Sequence, residues 1–347
     1  MAAIQRCNSL IIMGIVLSLS GCMQTTKTAR TENAVPIAPE VNEPPLPFVP
    51  GSWTLVILPD TQTYCSQYPG LYDLQTHWLA DNKDKYNIVY VLQTGDITDY
   101  NTQLEWQRAD RALSRIEGIV PYVLVTGNHD YGTKTNMAKD RMTSINDYFP
   151  PPRFKNWPTF GGVMTPERIE NNYHLFDAGG RKWLIISLEW GPRDETLNWA
   201  NQILQKYPDR KAFIVTHAYL YSDSTRYDWQ RKGTSQNWNP HSYGTQGGVN
   251  DGRQVWDKLA KKNPNVFMVI NGHVLNDGLG FLTSEAEHGN QVHQMLVNFQ
   301  MRPLGGESWL RLLEFLPDGK TIQVKTYCPL YEKYETTPES QFVIKYN

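Results

Sequence analysis
The chain has 347 residues, 40% hydrophobic and 20% charged, with 33 Lys and Arg against 35 Asp and Glu and a formal net charge of −2. That is an ordinary globular balance, enough for one large domain or two small ones. No basic stripe is present to neutralise a phosphate backbone, so no nucleic-acid-binding surface is expected.

The N-terminus reads as a targeting signal. Arg6 precedes the apolar run LIIMGIVL at 10–17, too short to cross a bilayer but right for a signal-peptide core. Leu19-Ser20-Gly21-Cys22 follows and resembles the lipobox of bacterial lipoproteins. The resemblance implies a signal peptide over 1–21 and a lipid on Cys22. Met23 follows, not aspartate. By resemblance to Gram-negative lipoproteins this implies a chain anchored in the cell envelope, at the outer membrane. Residues 22–52 mix Thr, Glu and Asn with Pro36, Pro39, Pro44, Pro45, Pro47 and Pro50, the composition of a solvated tether. One folded domain then spans 53–347. Cys7 leaves with the signal, so Cys65 and Cys328 remain as an even pair in an oxidising compartment. They either form a disulfide or stay as two buried thiols, a matter of geometry.

In chain order, short Val- and Ile-rich runs alternate with helix-length stretches. WTLVILP (53–59) ends in Asp60-Thr61-Gln62, and a helix is expected over 71–82. IVYVLQT (88–94) ends in Gly95-Asp96-Ile97-Thr98-Asp99, and a second helix is expected over 102–117. PYVLVT (121–126) ends in Gly127-Asn128-His129-Asp130. WLIISL (183–188) leads to Glu189 and Trp190, KAFIVT (211–216) to His217, and VFMVIN (266–271) to Gly272-His273. Near-continuous apolar strands imply a buried, largely parallel α/β sheet, in which ligands bind beyond the carboxyl ends of the strands. The polar clusters all fall at that edge. Asp60, Asp96, Asn128, His217 and His273 make a mixed oxygen and nitrogen cage suited to borderline divalent metals. The absence of cysteine from the set argues against a structural zinc.

D-x-Q, GDIxD, GNHD, TH and GH, in this order, resemble the calcineurin-like metallophosphoesterases over essentially all of 53–347, including LRLLEFL (310–316) and TIQVKTY (321–327). The resemblance implies a four-layer α/β sandwich: two mixed β-sheets flanked by helices, with the metals at the carboxyl-terminal strand edge. It implies one or two divalent ions (Mn, Fe, Zn, Ni or Mg) and a phosphoester substrate. Asp96 would bridge two metals, Asn128, His217 and His273 would hold the second, and Asp60 the first. Two positions depart from the family pattern. Gln62 stands where the family has a histidine, and Leu275 occupies the second histidine position of G-H-x-H. Both lost imidazoles belong to the first site. Gln62 offers only a neutral oxygen, with Asn276 or Asp277 as possible replacements, so weaker binding is expected there.

The expected reaction is hydrolysis of phosphomonoesters or phosphodiesters by a metal-activated hydroxide. His129 is the candidate to handle the phosphate or the leaving-group proton, with Asp130 orienting its ring. Asp99 is expected behind the ligands. The long aromatic segment 219–252 is expected to wall the metal edge. Arg226 or Arg231 is the candidate for an anionic substrate, while His241 and Trp190 are candidates to line the cleft. His293, His288, His174 and His77 read as structural. A rival reading is an envelope lipoprotein that keeps the fold and a metal for binding alone. A third is a single-metal hydrolase of another ester class.

Overall fold
The computed structural model describes residues 44–346. Fourteen strands follow in order: β1 (Trp53–Leu58), β2 (Ile88–Gln93), β3 (Tyr122–Val123), β4 (Phe160–Thr165), β5 (Arg168–Ala178), β6 (Arg181–Leu188), β7 (Lys211–Thr216), β8 (Val266–Asn271), β9 (Leu279–Glu285), β10 (Gln291–Val297), β11 (Leu310–Phe315), β12 (Thr321–Cys328), β13 (Lys333–Glu335) and β14 (Phe342–Lys345). They form two seven-stranded sheets. The first runs β13-β12-β11-β1-β2-β3, with β14 also on β12. The second runs β4-β5-β6-β7-β8-β10-β9. Both are mixed. β1, β2 and β3 are parallel, while β1 and β11 are antiparallel. β6, β7, β8 and β10 are parallel, whereas β5 and β9 run antiparallel to their neighbours.

The layering follows from strand periodicity. Successive side chains of a strand point to opposite faces, so a strand covered on both faces must be apolar at every position. In β1, Leu55 and Ile57 face the second sheet and pack with Trp183, Phe213 and Met268. Val56 and Leu58 face outward, against Leu79 and Trp106 of the helices Pro69–Asn82 and Gln103–Leu113. On the far side, Leu184 and Ile186 of β6 pack with Leu197 and Ile203 of the helix Asp194–Lys206. Helix, sheet, sheet and helix therefore make four layers.

Both helices expected after β1 and β2 form, the first beginning two residues earlier, at Pro69, and the second ending four residues earlier, at Leu113. The second begins at a capping box: the Thr102 hydroxyl accepts from the Glu105 amide, and Glu105 accepts from the Thr102 amide at 3.1 Å. Glu105 also accepts from the Tyr100 amide at 3.0 Å, which pins the loop leaving Asp96.

One reading changes. Residues 44–52, expected in the tether, pack on the domain. Leu46 and Val49 donate backbone N–H groups to Gln341 and Glu314 at 2.7 and 2.6 Å, and Phe48 packs on Tyr86 with ring centres 4.3 Å apart. The apolar rings among the prolines give this stretch something to bury. Of the two alternatives for the cysteine pair, the second holds: Cys65 and Cys328 are separate free, buried thiols. Cys65 sits in the short helix Gln62–Ser66, and Cys328 donates to the Glu307 carbonyl at 3.1 Å. Cys22 and the signal segment lie outside the described residues. Among the described residues, no helix is long and apolar enough to cross a membrane.

Candidate metal centre
Both sheets deliver polar side chains to one edge. Asp60, Asp96 and Asn128 follow β1, β2 and β3 of the first sheet; His217 and His273 follow β7 and β8 of the second. All five are almost fully buried. Donor atoms of Asp96, His217 and His273 lie within 4.8 Å of one another, a spacing that could hold one metal ion. The turn at Asp96 depends on Gly95, whose φ is +104°. A Cβ there would lie 2.4 Å from His217 Nδ1, so only glycine lets the imidazole approach.

Each ligand candidate is held by its unused atoms. His217 Nδ1 bonds the Thr94 carbonyl at 2.8 Å, which leaves Nε2, 3.1 Å from Asp96 Oδ2, as the free nitrogen. His273 Nε2 bonds the Trp238 carbonyl at 2.8 Å, leaving Nδ1. Asn128 spends its amide NH2 on the Met137 sulfur at 3.5 Å, so its oxygen faces the cage. Asn128 Oδ1, His217 Nε2 and Gln62 Oε1 are all buried without a hydrogen-bond partner. Buried polar atoms are otherwise almost always paired. An orphaned His217 nitrogen 3.1 Å from the Asp96 carboxylate and within 4.8 Å of a His273 nitrogen fits a divalent cation, whose ligands they would become.

The charges point the same way. Burial pushes Asp60 up to about 8, against the pull of His217. Burial also raises Asp96, but His217 and His129 outweigh it and hold it at about 2. Burial lowers His217, yet Asp96 and Asp60 lift it to about 9. Burial and the neighbouring His217 push His273 down to about 3.

His129 and Asp130 diverge. Residues 128–130 form a single 3₁₀ turn, in which successive side chains point about 120° apart. Asn128 therefore enters the cage and His129 faces the open edge. Asp130 turns inward, accepting from the backbone N–H groups of Gly127, Ile97 and Thr98 and from the Thr98 hydroxyl. It does not orient His129, as the sequence suggested. Asp99 does: His129 Nδ1 lies 2.8 Å from the Asp99 carbonyl and 3.2 Å from its carboxylate. Burial opposes the charge on His129, but Asp96 and Asp99 raise it to about 9.

The four substrate candidates are engaged in other contacts. Trp190 is fully buried, its ring 5.0 Å from His273 and 5.7 Å from His217, so it backs the ligands instead of lining the cleft. Arg226 lies 3.9 Å over the Trp256 ring and donates to Tyr219 and Ser284, contacts that commit it to packing. Arg231 is a surface residue near Asp228, and His241 bonds Gln254 at 2.7 Å. The segment 219–252 does reach the centre, through the Trp238 carbonyl and the Tyr243 ring, 5.0 Å from Trp190.

Asn298 was not anticipated. It is buried, follows β10, and donates to Asp60 Oδ2 at 2.9 Å, while its own oxygen accepts from the Gln300 amide at 2.9 Å. The signal was weak: QVHQMLV mixes Gln291, His293 and Gln294 with four apolar residues, so it does not read as an apolar run ending in a polar cluster.

The family model described as calcineurin-like phosphoesterase matches residues 54–277. The uncharacterized protein YvnB of Bacillus subtilis (strain 168) is 32% identical over 295 residues, which is 82% of this chain and 20% of that protein. The chain thus spans about a fifth of the length of this relative. A purple acid phosphatase from yellow lupin (Lupinus luteus) seeds superposes with a TM-score of 0.51 at 14% identity, covering 87% of this chain and 55% of the lupin chain. That likeness concerns the fold. With the family match over most of its folded length, the chain belongs to the calcineurin-like phosphoesterases.

Proposed function
We propose that the protein hydrolyses phosphoric esters at this edge with a bound divalent cation. The observation that carries the reading is the buried cluster of Asp96, His217 and His273, whose donor atoms lie within 4.8 Å of one another, with His217 Nε2 unpartnered. When bound, the cation neutralises phosphoryl charge and lowers the pKa of water. The chain's own groups do the rest. Asp96, Asn128, His217 and His273 hold the cation. His129, charged and fixed by Asp99, stands at the open edge to bind a phosphoryl oxygen or give the leaving group its proton. Trp190 and Tyr243 keep water from the rear of the ligands. The test is hydrolysis of paired chromogenic monoester and diester substrates by metal-stripped protein refilled with Mn, Fe, Zn, Ni or Mg. Turnover restored by metal and absent from Asn128→Ala is expected. Absence of turnover with every metal would favour a protein that kept the fold for binding.

Within this reading the centre holds one ion tightly. Asp60 accepts from the His273 backbone at 3.0 Å and from Asn298 at 2.9 Å, donors that already satisfy one of its oxygens. Leu275 contributes no ligand atom. Equilibrium dialysis against Mn is expected to leave one ion per chain; two equally tight ions would refute this.

The lipobox motivates a further proposal, that the chain is exported and anchored in the envelope by a lipid on Cys22. Labelling with radioactive palmitate should mark the protein and spare Cys22→Ser. Equal labelling of both would overturn the assignment.

A further inference from the structure
Four of the large apolar side chains that stand exposed among the described residues share one place. Met301 (62% exposed) and Leu304 (43%) lie on the loop after β10, and Leu330 (38%) and Tyr331 (48%) lie on the turn between β12 and β13. The two loops are joined. The Tyr331 hydroxyl donates to Glu307 at 2.8 Å, and the Leu330 amide donates to the Ser308 hydroxyl at 3.2 Å. Their exposure is not slack. Residues 304–308 all hold left-handed φ values, from +47° to +118°, a region that non-glycine residues seldom enter unless their surroundings hold them there. Gly305 packs so closely on Thr63 that a Cβ would collide with it, and the Ser308 amide donates to the Tyr64 hydroxyl at 2.9 Å. The loop is thus clamped to the helix Gln62–Ser66, beside the metal centre, with Met301 and Leu304 in solvent.

This rim lies where the N-terminal segment joins the domain. Gln341 donates to the Pro44 carbonyl at 3.1 Å and accepts from the Leu46 amide at 2.7 Å. Its neighbour Ser340 donates to Glu335 at 2.7 Å, and Glu335 accepts from Arg302, next to Met301, at 2.6 Å. Asn298, Met301, Arg302, Glu335 and Ser340 line one cavity of about 340 Å³. Cys22 precedes Pro44 by only 22 positions, so a lipid there holds this entry point within about 75 Å even at full stretch and leads this face toward the membrane. The charges on the rim do not make it basic. Exposed Glu332 and Lys333 offset each other, and Arg302 is spent on Glu335. An apolar rim without net positive charge suits the headgroup and acyl boundary of a zwitterionic bilayer.

We propose that this rim rests in the surface of the lipid bilayer, an inference that builds on the lipid anchor proposed above. Met301, Leu304, Leu330 and Tyr331 enter the boundary between headgroups and acyl chains. The flank of the metal centre that carries Asn298 then lies beside the headgroups.

The test places an environment-sensitive nitrobenzoxadiazole dye on Met301→Cys of the full lipidated chain. The same dye on Lys182→Cys, an exposed position at the amino-terminal end of β6, is the control. Cys65 and Cys328 are buried and stay unlabelled. On phosphatidylcholine vesicles the dye at Met301→Cys should shift its emission to the blue and be quenched by spin-labelled acyl chains, while the control does neither. Adding Leu304→Asp and Leu330→Asp should abolish the shift. If Met301→Cys labels poorly, Tyr331→Cys carries the same test. A chain that floats with the vesicles yet gives the same emission at both positions overturns the rim contact and leaves the anchor standing; a chain that does not float overturns both. A blue shift already present without vesicles means that a second copy of the chain covers the rim, and it too overturns the proposal. None of these readings depends on phosphoester hydrolysis.

Discussion
His129 and Asp130 are adjacent in sequence yet serve different ends, and substitution can separate them. Asp99→Asn removes the carboxylate beside the His129 ring, and turnover is expected to fall about 10- to 100-fold with little change in stability. Asp130→Asn leaves three backbone N–H groups facing an amide, and is expected to cost about 1–3 kcal/mol of stability. Thermal melts beside steady-state rates check both; a reversed pattern would return the orienting role to Asp130. His174 offers a test away from the centre. It is buried between Tyr90, 2.6 Å from Nδ1, and Asn172, 2.9 Å from Nε2. Burial pushes it from 6.5 to about 3. Below 6.5 the unfolded chain takes up a proton that the folded one refuses. Its stability contribution is therefore intact above 6.5 and is lost as pH falls toward 3. Between pH 6 and 4.5, wild type should lose about 1.4 kcal/mol per pH unit more than His174→Gln, read from denaturant melts. Equal slopes would contradict a neutral His174.

At the scale of elements, the strands that end in ligands were legible because each is covered on both faces and so reads as an unbroken apolar run. β4 and β5 were not. β4 is only half-buried, and β5 buries Asn171, Asn172 and His174, polar residues that hide a strand from any hydrophobic pattern. The five ligand candidates at the strand ends were legible for the same reason, as polar clusters after apolar runs. The split between His129 and Asp130 was not, because it depends on one 3₁₀ turn. Nor were the partners of Arg226 and His241, which no spacing rule ties to them. Between the sheets, Trp183 packs with Trp53, Phe213, Phe267 and Phe315, ring centres 5.3–5.6 Å away. Trp183→Ala is expected to destabilise the domain by about 3–5 kcal/mol through the cavity it leaves, measured by urea unfolding. A loss under about 1 kcal/mol would mean that the two sheets re-close around the gap.

At the scale of the molecule, the ligands come from both sheets: Asp60, Asp96 and Asn128 from one, His217 and His273 from the other. A cation held among them ties the sheets together at their carboxyl-terminal edge. Because such an ion binds the folded state alone, metal at about 100 times its dissociation constant should add about 2.7 kcal/mol to stability. Chelation should lower the melting temperature while leaving the circular dichroism of the folded protein intact. The most direct measurement titrates Mn into the metal-free protein and follows bound metal and phosphoester hydrolysis in the same samples. The expected result is activity that rises in step with the first bound ion, levels off at one ion per chain, and is missing from His217→Ala. Hydrolysis that is indifferent to metal, or metal that binds as tightly to His217→Ala, would contradict a catalytic ion held by Asp96, Asn128, His217 and His273.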